Sequence, residues 1–412
     1  MKTISSAVRL PNADIGVHNP STRQKEFDYM SSPSSSLGNH DVTAIGKPRA
    51  RRILTRLLVG TVALFATTTA FGQALGDIKA PTEPLVLKDQ GSFFVGGKVR
   101  RETAVELSSP LGTPLADSGT VWDDKMYVEY MVPASATGTP VVMVHGATLT
   151  GKTFETTPDG RMGWEEYFVR RGHAVYLPDQ IGRGRSGFPV DVYNDVRNGL
   201  LPTNAMPNAF RLSNELGWKL FRFGPRVGTA YGDEQFPVEH VDDLARQAVP
   251  DLFLALANPN PNYLALSDLS KQIHGAVLMG HSQAGFYPLE SDLVDDAGVK
   301  GMILVEPGRC SASNYTDATY AKFAKTPILI VFGDHLDIDT GVPAFNWQAT
   351  FSECQAFIKR VNAAGGRAKM LHPPELGIKG NSHMIMQDRN NLQIADLILK
   401  WIHEEVDAQS KR

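Results

Sequence analysis

A serine hydroxyl is a weak nucleophile at neutral pH. It gains reactivity when a histidine within hydrogen-bond reach takes its proton and a carboxylate fixes that histidine's tautomer and stabilises its charged form. The chain sets Ser282 for such a role in Gly280-His281-Ser282-Gln283-Ala284-Gly285, directly after the apolar run Ala276 to Met279. That run has no helical spacing, contains a β-branched residue and ends at glycine, which predicts a buried strand. The Gly-x-Ser-x-Gly frame then lets the backbone turn sharply from strand to helix, because side chains at the two glycine positions would collide across the turn. The serine is held out at the tip.

The base must come from eleven histidines. In a doubly wound sheet the reacting groups collect in loops at the carboxyl ends of the strands, in the chain order nucleophile, acid, histidine. His383 fits, in the late loop Gly380-Asn381-Ser382-His383 between the last predicted strand and the last predicted helix. His274, His372 and His403 read as hydrogen-bonded structural residues. The acid stays open: Glu306 directly follows the apolar run Met302 to Val305, whereas Asp334 and Asp337 follow the next run, and both placements reach a histidine at the same edge. His145-Gly146-Ala147-Thr148 ends a third apolar run, where the backbone N–H of Ala147, with that of Gln283, can bind an oxyanion. Such donors bond charge that appears only in the transition state, and losing one costs roughly a hundredfold to a thousandfold in rate. Arg183 and Arg185 lie in Gly182-Arg183-Gly184-Arg185-Ser186-Gly187, which reads as a structural turn rather than a phosphate site, since the rest of a nucleotide fingerprint is missing.

The elements that must position these residues alternate. Runs at Ser92 to Arg100, Lys125 to Val132, Pro140 to Val144, His173 to Leu177, Ala276 to Met279, Met302 to Val305, Ile328 to Phe332 and Ala368 to Leu371 read as strands. Helical patterns at Trp164 to Arg171, Phe286 to Ala297, Asp317 to Ala324, Trp347 to Ala364 and Asn391 to Glu405 fall between or after them. This alternation predicts an α/β fold with a largely parallel sheet and helices on both faces. Regularity stops from Phe188 to about Pro261, where Pro, Asn and Gly are frequent and Val238 to Ala257 is the one helical candidate. So long a stretch without strand signals predicts a partly helical insertion over the active edge of the sheet. Its Trp218, Phe221 and Phe223 are read as core in preference to pocket lining. The expected organisation is a disordered leader over 1–48, a signal peptide over 49–74, an α/β core over 75–187 and 262–412, and the insertion over 188–261.

The 412 residues are 42% apolar and 21% charged, ordinary for a globular chain. Its first 74 residues carry nine Lys/Arg against four Asp/Glu, leaving 32 against 40 and a formal charge of −8 in the rest. This acidic balance argues against a nucleic-acid partner. Arg49 to Arg52, the uncharged stretch Leu57 to Phe71 and the small residues that follow make the three parts of a secretory signal, cleaved after Gly72 or Ala74. Arg51-Arg52-Ile53-Leu54 loosely resembles a twin-arginine signal, and the polar stretch ahead leaves open a translation start downstream of Met1. Cys310 and Cys354 lie in no metal-binding cluster, so they are either one disulfide or two buried thiols.

Taken in order, the strand with His145-Gly146, then Asp179-Gln180-Ile181-Gly182-Arg183-Gly184-Arg185-Ser186, the serine pentad, Glu306-Pro307-Gly308 and Ser382-His383 resemble the α/β-hydrolase fold. More narrowly, the segment from His145 through Thr157-Pro158-Asp159-Gly160-Arg161-Met162-Gly163-Trp164 to Gly187 is similar to secreted bacterial esterases of the esterase 713 type. That resemblance runs from about Gly91 to the C-terminus and is weakest in the insertion. It implies a Ser282-His383-Glu306 triad, with glutamate as the acid in preference to Asp334 or Asp337. Ala147-Thr148 stand where relatives can carry adjacent cysteines. The resulting expectation is a secreted serine esterase whose oxyanion donors are Ala147 and Gln283, and which needs no metal or organic cofactor. Its expected partner is a small-molecule ester, with no nucleic acid and no stable membrane association after signal cleavage, and with a homodimer left open. The alternatives are a lactonase or amidase using the same triad, or an inactive binding protein on the same fold.

Overall fold

The computed structural model describes residues 73–109, 116–343 and 345–409. Its strands in chain order are β1 (Leu87–Thr103), β2 (Ser118–Pro133), β3 (Val141–Val144), β4 (Val175–Pro178), β5 (Ala276–His281), β6 (Val299–Val305), β7 (Ile328–Val331) and β8 (Ala368–Leu371). They form one eight-stranded sheet in the order β1-β2-β4-β3-β5-β6-β7-β8. The pairs β1/β2 and β2/β4 are antiparallel, and every other pair is parallel. β4 lies on one side of β3 and β5 on the other, so the strand order reverses at β3. A crevice opens beyond the carboxyl ends of strands at such a reversal. The loops after β3 and β5, carrying Gly146 and Ser282, both leave the sheet there.

The helices are α1 (Ala104–Leu107), α2 (Trp164–Arg170), α3 (Asp191–Arg197), α4 (Asn214–Leu220), α5 (Val241–Ala245), α6 (Pro261–Gln272), α7 (Tyr287–Val294), α8 (Asp317–Phe323), α9 (Trp347–Ala363) and α10 (Asn391–Ile402). Because side chains alternate along a strand, the central strands feed two cores. Val142, Val144, Leu278 and Leu304 join Leu266 of α6, Leu289 of α7, Phe323 of α8 and Phe357 of α9. Val141, Met143, Met279 and Val305 join Trp164 and Phe168 of α2 and Ile394 and Ile398 of α10. The sheet is thus covered on both faces, as its apolar runs require.

Three helices, α3, α4 and α5, fall between β4 and residue 261. The continuous helix expected over Val238 to Ala257 is not formed. A 3-10 turn at Val238–His240 runs into α5, which ends at Ala245, and a separate 3-10 turn spans Phe253–Ala255. Pro250 has no N–H to continue a helix. The chain there leaves instead to bond elsewhere, with Val249 N–H donating to Thr148 O at 2.7 Å and Asp251 bridging to Phe210. Conversely, α6 was not expected, although Asn260 caps its first turn and Pro261 occupies its first position. That pair is a helix-start signal in its own right. Cys310, in the loop after β6, is disulfide-bonded to Cys354 on α9. The expected leader and all but the last two residues of the expected signal lie outside the described residues. No helix among the described residues is long and apolar enough to cross a membrane.

Candidate active site

β5 ends at His281, and a 3-10 turn, Ser282–Ala284, leads into α7. The turn is tight enough to put Ser282 at φ +56°, a region that costs a non-glycine residue about 1–3 kcal/mol. A Cβ on Gly280 would stand 2.0 Å from Ala284 O, and one on Gly285 would stand 2.5 Å from Pro307 Cα. Neither position accepts a side chain, which is the physical content of the pentad. Gly285 also explains why the serine turn packs directly against the chain after Glu306.

His383 Nε2 is 2.9 Å from Ser282 Oγ, and its Nδ1 is 3.1 Å from Glu306 Oε2. Glu306, at φ +49°, directly follows β6. Its carboxylate accepts the Gly333 N–H and a two-pronged bond from Arg222, with Nη1 to Oε2 at 2.8 Å and Nη2 to Oε1 at 2.6 Å. Burial pushes the Glu306 carboxyl up, but Arg222 and the bond to His383 outweigh it and leave it at about 2. Glu306 is therefore an anion at any pH the fold is expected to meet. Burial holds His383 below the usual histidine value, with Glu306 opposing that shift and Arg222 adding to it. A neutral imidazole flanked by a carboxylate on Nδ1 and a hydroxyl on Nε2 is arranged to accept the hydroxyl proton. Its ring is wedged between Phe221, stacked at 5.3 Å, and Trp347, tilted at 4.5 Å. Its backbone is held by His383 N–H donating to Phe221 O at 2.9 Å and by His281 Nε2 at 3.0 Å from His383 O.

The loop after β3 comes up beside this group. Gly146 O accepts from Arg183 Nη1 at 3.0 Å, Thr148 N–H donates to Asp251 Oδ2 at 3.1 Å, and Ala147 N–H has no acceptor among the described residues. Gln283, the second residue of the serine turn, lies in a first turn whose N–H groups have no partner within the helix. Ala147, Ser282 and Gln283 are each half-buried.

A family model described as the alpha/beta hydrolase family matches residues 141–389, more than half the chain. The chain belongs to the alpha/beta hydrolase family. A solved structure described as a novel bacterial esterase is 44% identical, covers 79% of this chain and 99% of its own, and superposes with a TM-score of 0.73. A protein called probable secreted lipase phiG, from Fungal sp. (strain ATCC 74256), is 28% identical over an alignment 371 residues long that covers 77% of this chain and 92% of the relative.

Within this alpha/beta hydrolase the other sequence candidates stand apart from His383. Asp334 Oδ1 accepts His335 N–H and Oδ2 accepts Gly380 N–H, at 2.8 and 3.0 Å, so it braces the histidine loop without touching the ring. Asp337 is exposed. His274 and His403 are exposed, and His372 packs on Phe351 beside Glu375. Arg185 is tied to Asp179 and Glu129, as a structural turn requires. Arg183 reaches further, to Gly146 O, Gln283 and Asp251. Asp233, Asp334 and His335 put three ligand-type atoms within 4.8 Å of one another, but both oxygens of Asp334 already take backbone N–H groups. Two site residues carry no sequence signal. Arg222 and Asp251 lie in the irregular stretch between β4 and α6, and neither belongs to a motif.

Proposed function

We propose that the protein is an exported serine esterase that hydrolyses carboxylic esters through Ser282, His383 and Glu306. The observation that carries this is the continuous link from Ser282 Oγ through the two His383 nitrogens to Glu306, at 2.9 and 3.1 Å. Ser282 Oγ attacks the ester carbonyl while His383 Nε2 takes its proton, and the negative charge on the tetrahedral oxygen is met by the N–H groups of Ala147 and Gln283. Collapse of that intermediate breaks the bond to the alcohol oxygen, to which His383 returns the proton. Water, deprotonated by His383, then attacks the acyl-serine and releases the carboxylic acid and the free Ser282 hydroxyl. Glu306 stays ionised throughout, orienting the ring and balancing the imidazolium. The esterase and lipase descriptions of the relatives support the ester as substrate.

A narrow apolar cleft of about 20 Å³, room for little more than a water, adjoins the site and gives it an apolar wall. It is lined by Thr148 and Leu149 from the oxyanion loop and by Leu212, Phe221, Phe223 and Leu244 from the insertion. Phe221 thus both stacks on His383 and faces the cleft. A larger cavity of about 330 Å³ lies elsewhere, at Lys79, Arg161 and Arg389, and contains none of the reacting residues. Export is supported by the secreted relative and by the Cys310–Cys354 disulfide, a bond that persists in oxidising compartments.

An active-site-directed fluorophosphonate tests the nucleophile. Labelling that disappears in Ser282→Ala is expected, and absence of labelling on folded protein would sink the proposal. Mass spectrometry of the N-terminus of exported protein is expected to find cleavage after Gly72 or Ala74, and an intact Met1 terminus in the cytoplasm would contradict export.

A further inference from the structure

The Arg183 guanidinium is fully buried and stands where the loop after β4 meets both proposed oxyanion donors. Its Nη1 donates to Gly146 O at 3.0 Å, and its Nη2 reaches Gln283 Oε1 at 2.5 Å and Asp251 Oδ1 at 3.0 Å. Asp251, itself 3% exposed, returns the grip through Oδ2, which accepts the Thr148 N–H at 3.1 Å and Gln283 Nε2 at 3.2 Å. Both ends of the Gln283 amide are therefore satisfied, one by a cation and the other by an anion.

The Gly146 carbonyl has a second donor. His145 Nε2 accepts the Gln180 N–H at 2.9 Å, so it is the unprotonated nitrogen, and Nδ1–H donates to Gly146 O at 2.9 Å. Burial, reinforced by Arg183, holds this imidazole at about 3 and so keeps it neutral. A trans peptide is planar, with C=O and the following N–H on opposite sides. Two donors fixing Gly146 C=O therefore fix Ala147 N–H, which faces the other way and has no acceptor among the described residues. The next residue is pinned as well: Thr148, at φ +58°, gives its N–H to Asp251 and accepts Val249 N–H on its carbonyl at 2.7 Å. Gly146 O, Thr148 N–H and Thr148 O are thus each anchored around an Ala147 N–H that has no acceptor of its own among the described residues.

We propose that Arg183 and Asp251 are positioning residues of the oxyanion site: as one buried ion pair they orient the Ala147 N–H and, by clamping its side chain, Gln283. The inference rests on the serine esterase reading, which makes those two N–H groups oxyanion donors. Asp251 comes from the insertion, so the segment that supplies Phe221 and Phe223 to the apolar cleft also builds part of the charge-stabilising site. The pair acts through backbone groups and touches no substrate, so its removal weakens transition-state binding more than substrate binding.

The test measures kcat and KM for a short p-nitrophenyl ester, and the inhibition constant of a trifluoromethyl ketone of matching acyl group, in Arg183→Lys, Arg183→Met, Asp251→Asn and Gln283→Ala. Arg183→Met and Asp251→Asn are expected to lose roughly 10- to 100-fold in kcat with KM within about threefold. Their affinity for the ketone should fall in parallel with kcat/KM. Arg183→Lys, which keeps the charge and one bond, should recover part of the loss. Should the Arg183→Met or Asp251→Asn protein not fold, Arg183→Lys and the half-buried Gln283→Ala carry the same comparison, with smaller losses of the same pattern expected. Folded variants whose kcat and ketone affinity match the parent would overturn the inference, as would a loss appearing only in KM. Fluorophosphonate labelling of the parent separates the two readings: an unlabelled parent means the serine reading has failed, and a labelled parent with unchanged variants means this inference alone has failed.

Discussion

Arg222 closes on both carboxylate oxygens of Glu306, at 2.8 and 2.6 Å, with neither side chain exposed. The guanidinium also lies over the Trp347 ring at 5.2 Å and donates from Nε to Asp334 O at 2.7 Å, so it joins the loop after β7 to the acid at the end of β6. Breaking a buried pair by removing one partner costs about 3–5 kcal/mol, because the remaining charge is left uncompensated. Arg222→Met should therefore lower thermal stability strongly. In the folded fraction the effect on pH dependence follows from sign. Arg222 holds His383 down, so its removal raises the histidine pKa and moves the acid limb of kcat/KM to higher pH. A pH–rate profile from pH 4 to 9 checks this, and Arg222→Lys should give a smaller shift in the same direction. An unchanged limb in folded Arg222→Met would contradict the electrostatic role.

The choice of acid is separable by substitution. Glu306→Gln keeps the shape but loses the charge opposite His383 Nδ1, and kcat should fall by a factor on the order of 10³. Asp337→Asn should leave kcat within about twofold, since Asp337 is exposed. Asp334→Asn disturbs two N–H acceptors that brace the loop carrying His383, so it should reduce stability while the folded protein keeps most of its turnover. Near-full activity in Glu306→Gln would remove it from the mechanism.

Much of this arrangement was legible in local pattern. The central strands β3, β5 and β7 are buried along their whole length and so read as continuous apolar runs. The serine turn is legible because Gly280 and Gly285 tolerate no Cβ, a constraint that leaves a mark in the sequence. What was not legible depends on partners distant in the chain. Nothing around Arg222 announces that it meets Glu306 84 residues later, or that Asp251 meets the Thr148 N–H 103 residues earlier. The helix expected over Val238 to Ala257 fails to form for the same reason. Its apolar spacing is helical in part, but Val249 and Asp251 are drawn off by the loop after β3 and by Phe210, and these contacts outweigh local propensity.

The Cys310–Cys354 bond closes a span of 44 residues and ties the chain four residues beyond Glu306 to α9. By the loop-entropy relation, a closure of that length stabilises by about 4 kcal/mol. The Cys310→Ala/Cys354→Ala double variant should therefore melt on the order of 10 °C lower than the parent. Parent protein treated with reductant under mild denaturation should follow it. The Glu353 carboxylate still accepts the backbone N–H groups of Cys310 and Ala312, at 3.3 and 3.2 Å, so the loop should keep its place at low temperature. Turnover of the double variant at 25 °C should accordingly stay within about threefold, with heat inactivation as the sensitive readout. Equal melting temperatures would show that the bond adds nothing to stability.

Glu165, in α2, is 4% exposed, and its Oε1 has no hydrogen-bond partner among the described residues. Burial, with repulsion from Glu155 and Glu129, pushes its carboxyl up from 4.5 to about 8. Below pH 4.5 the group is neutral in both the folded and the unfolded chain and is without effect on the balance. As pH rises from 4.5 toward 8 the unfolded chain releases the proton while the folded one retains it, so folding is progressively disfavoured. Glu165→Gln removes that dependence. Because buried His145 and His281 titrate in the opposite sense, losing stability as pH falls, the informative quantity is the difference between parent and variant. Urea unfolding should show that difference shifting in favour of Glu165→Gln between pH 4.5 and pH 8, by on the order of 2 kcal/mol. A difference that stays constant across that range would mean that Glu165 ionises in the folded protein as freely as in water.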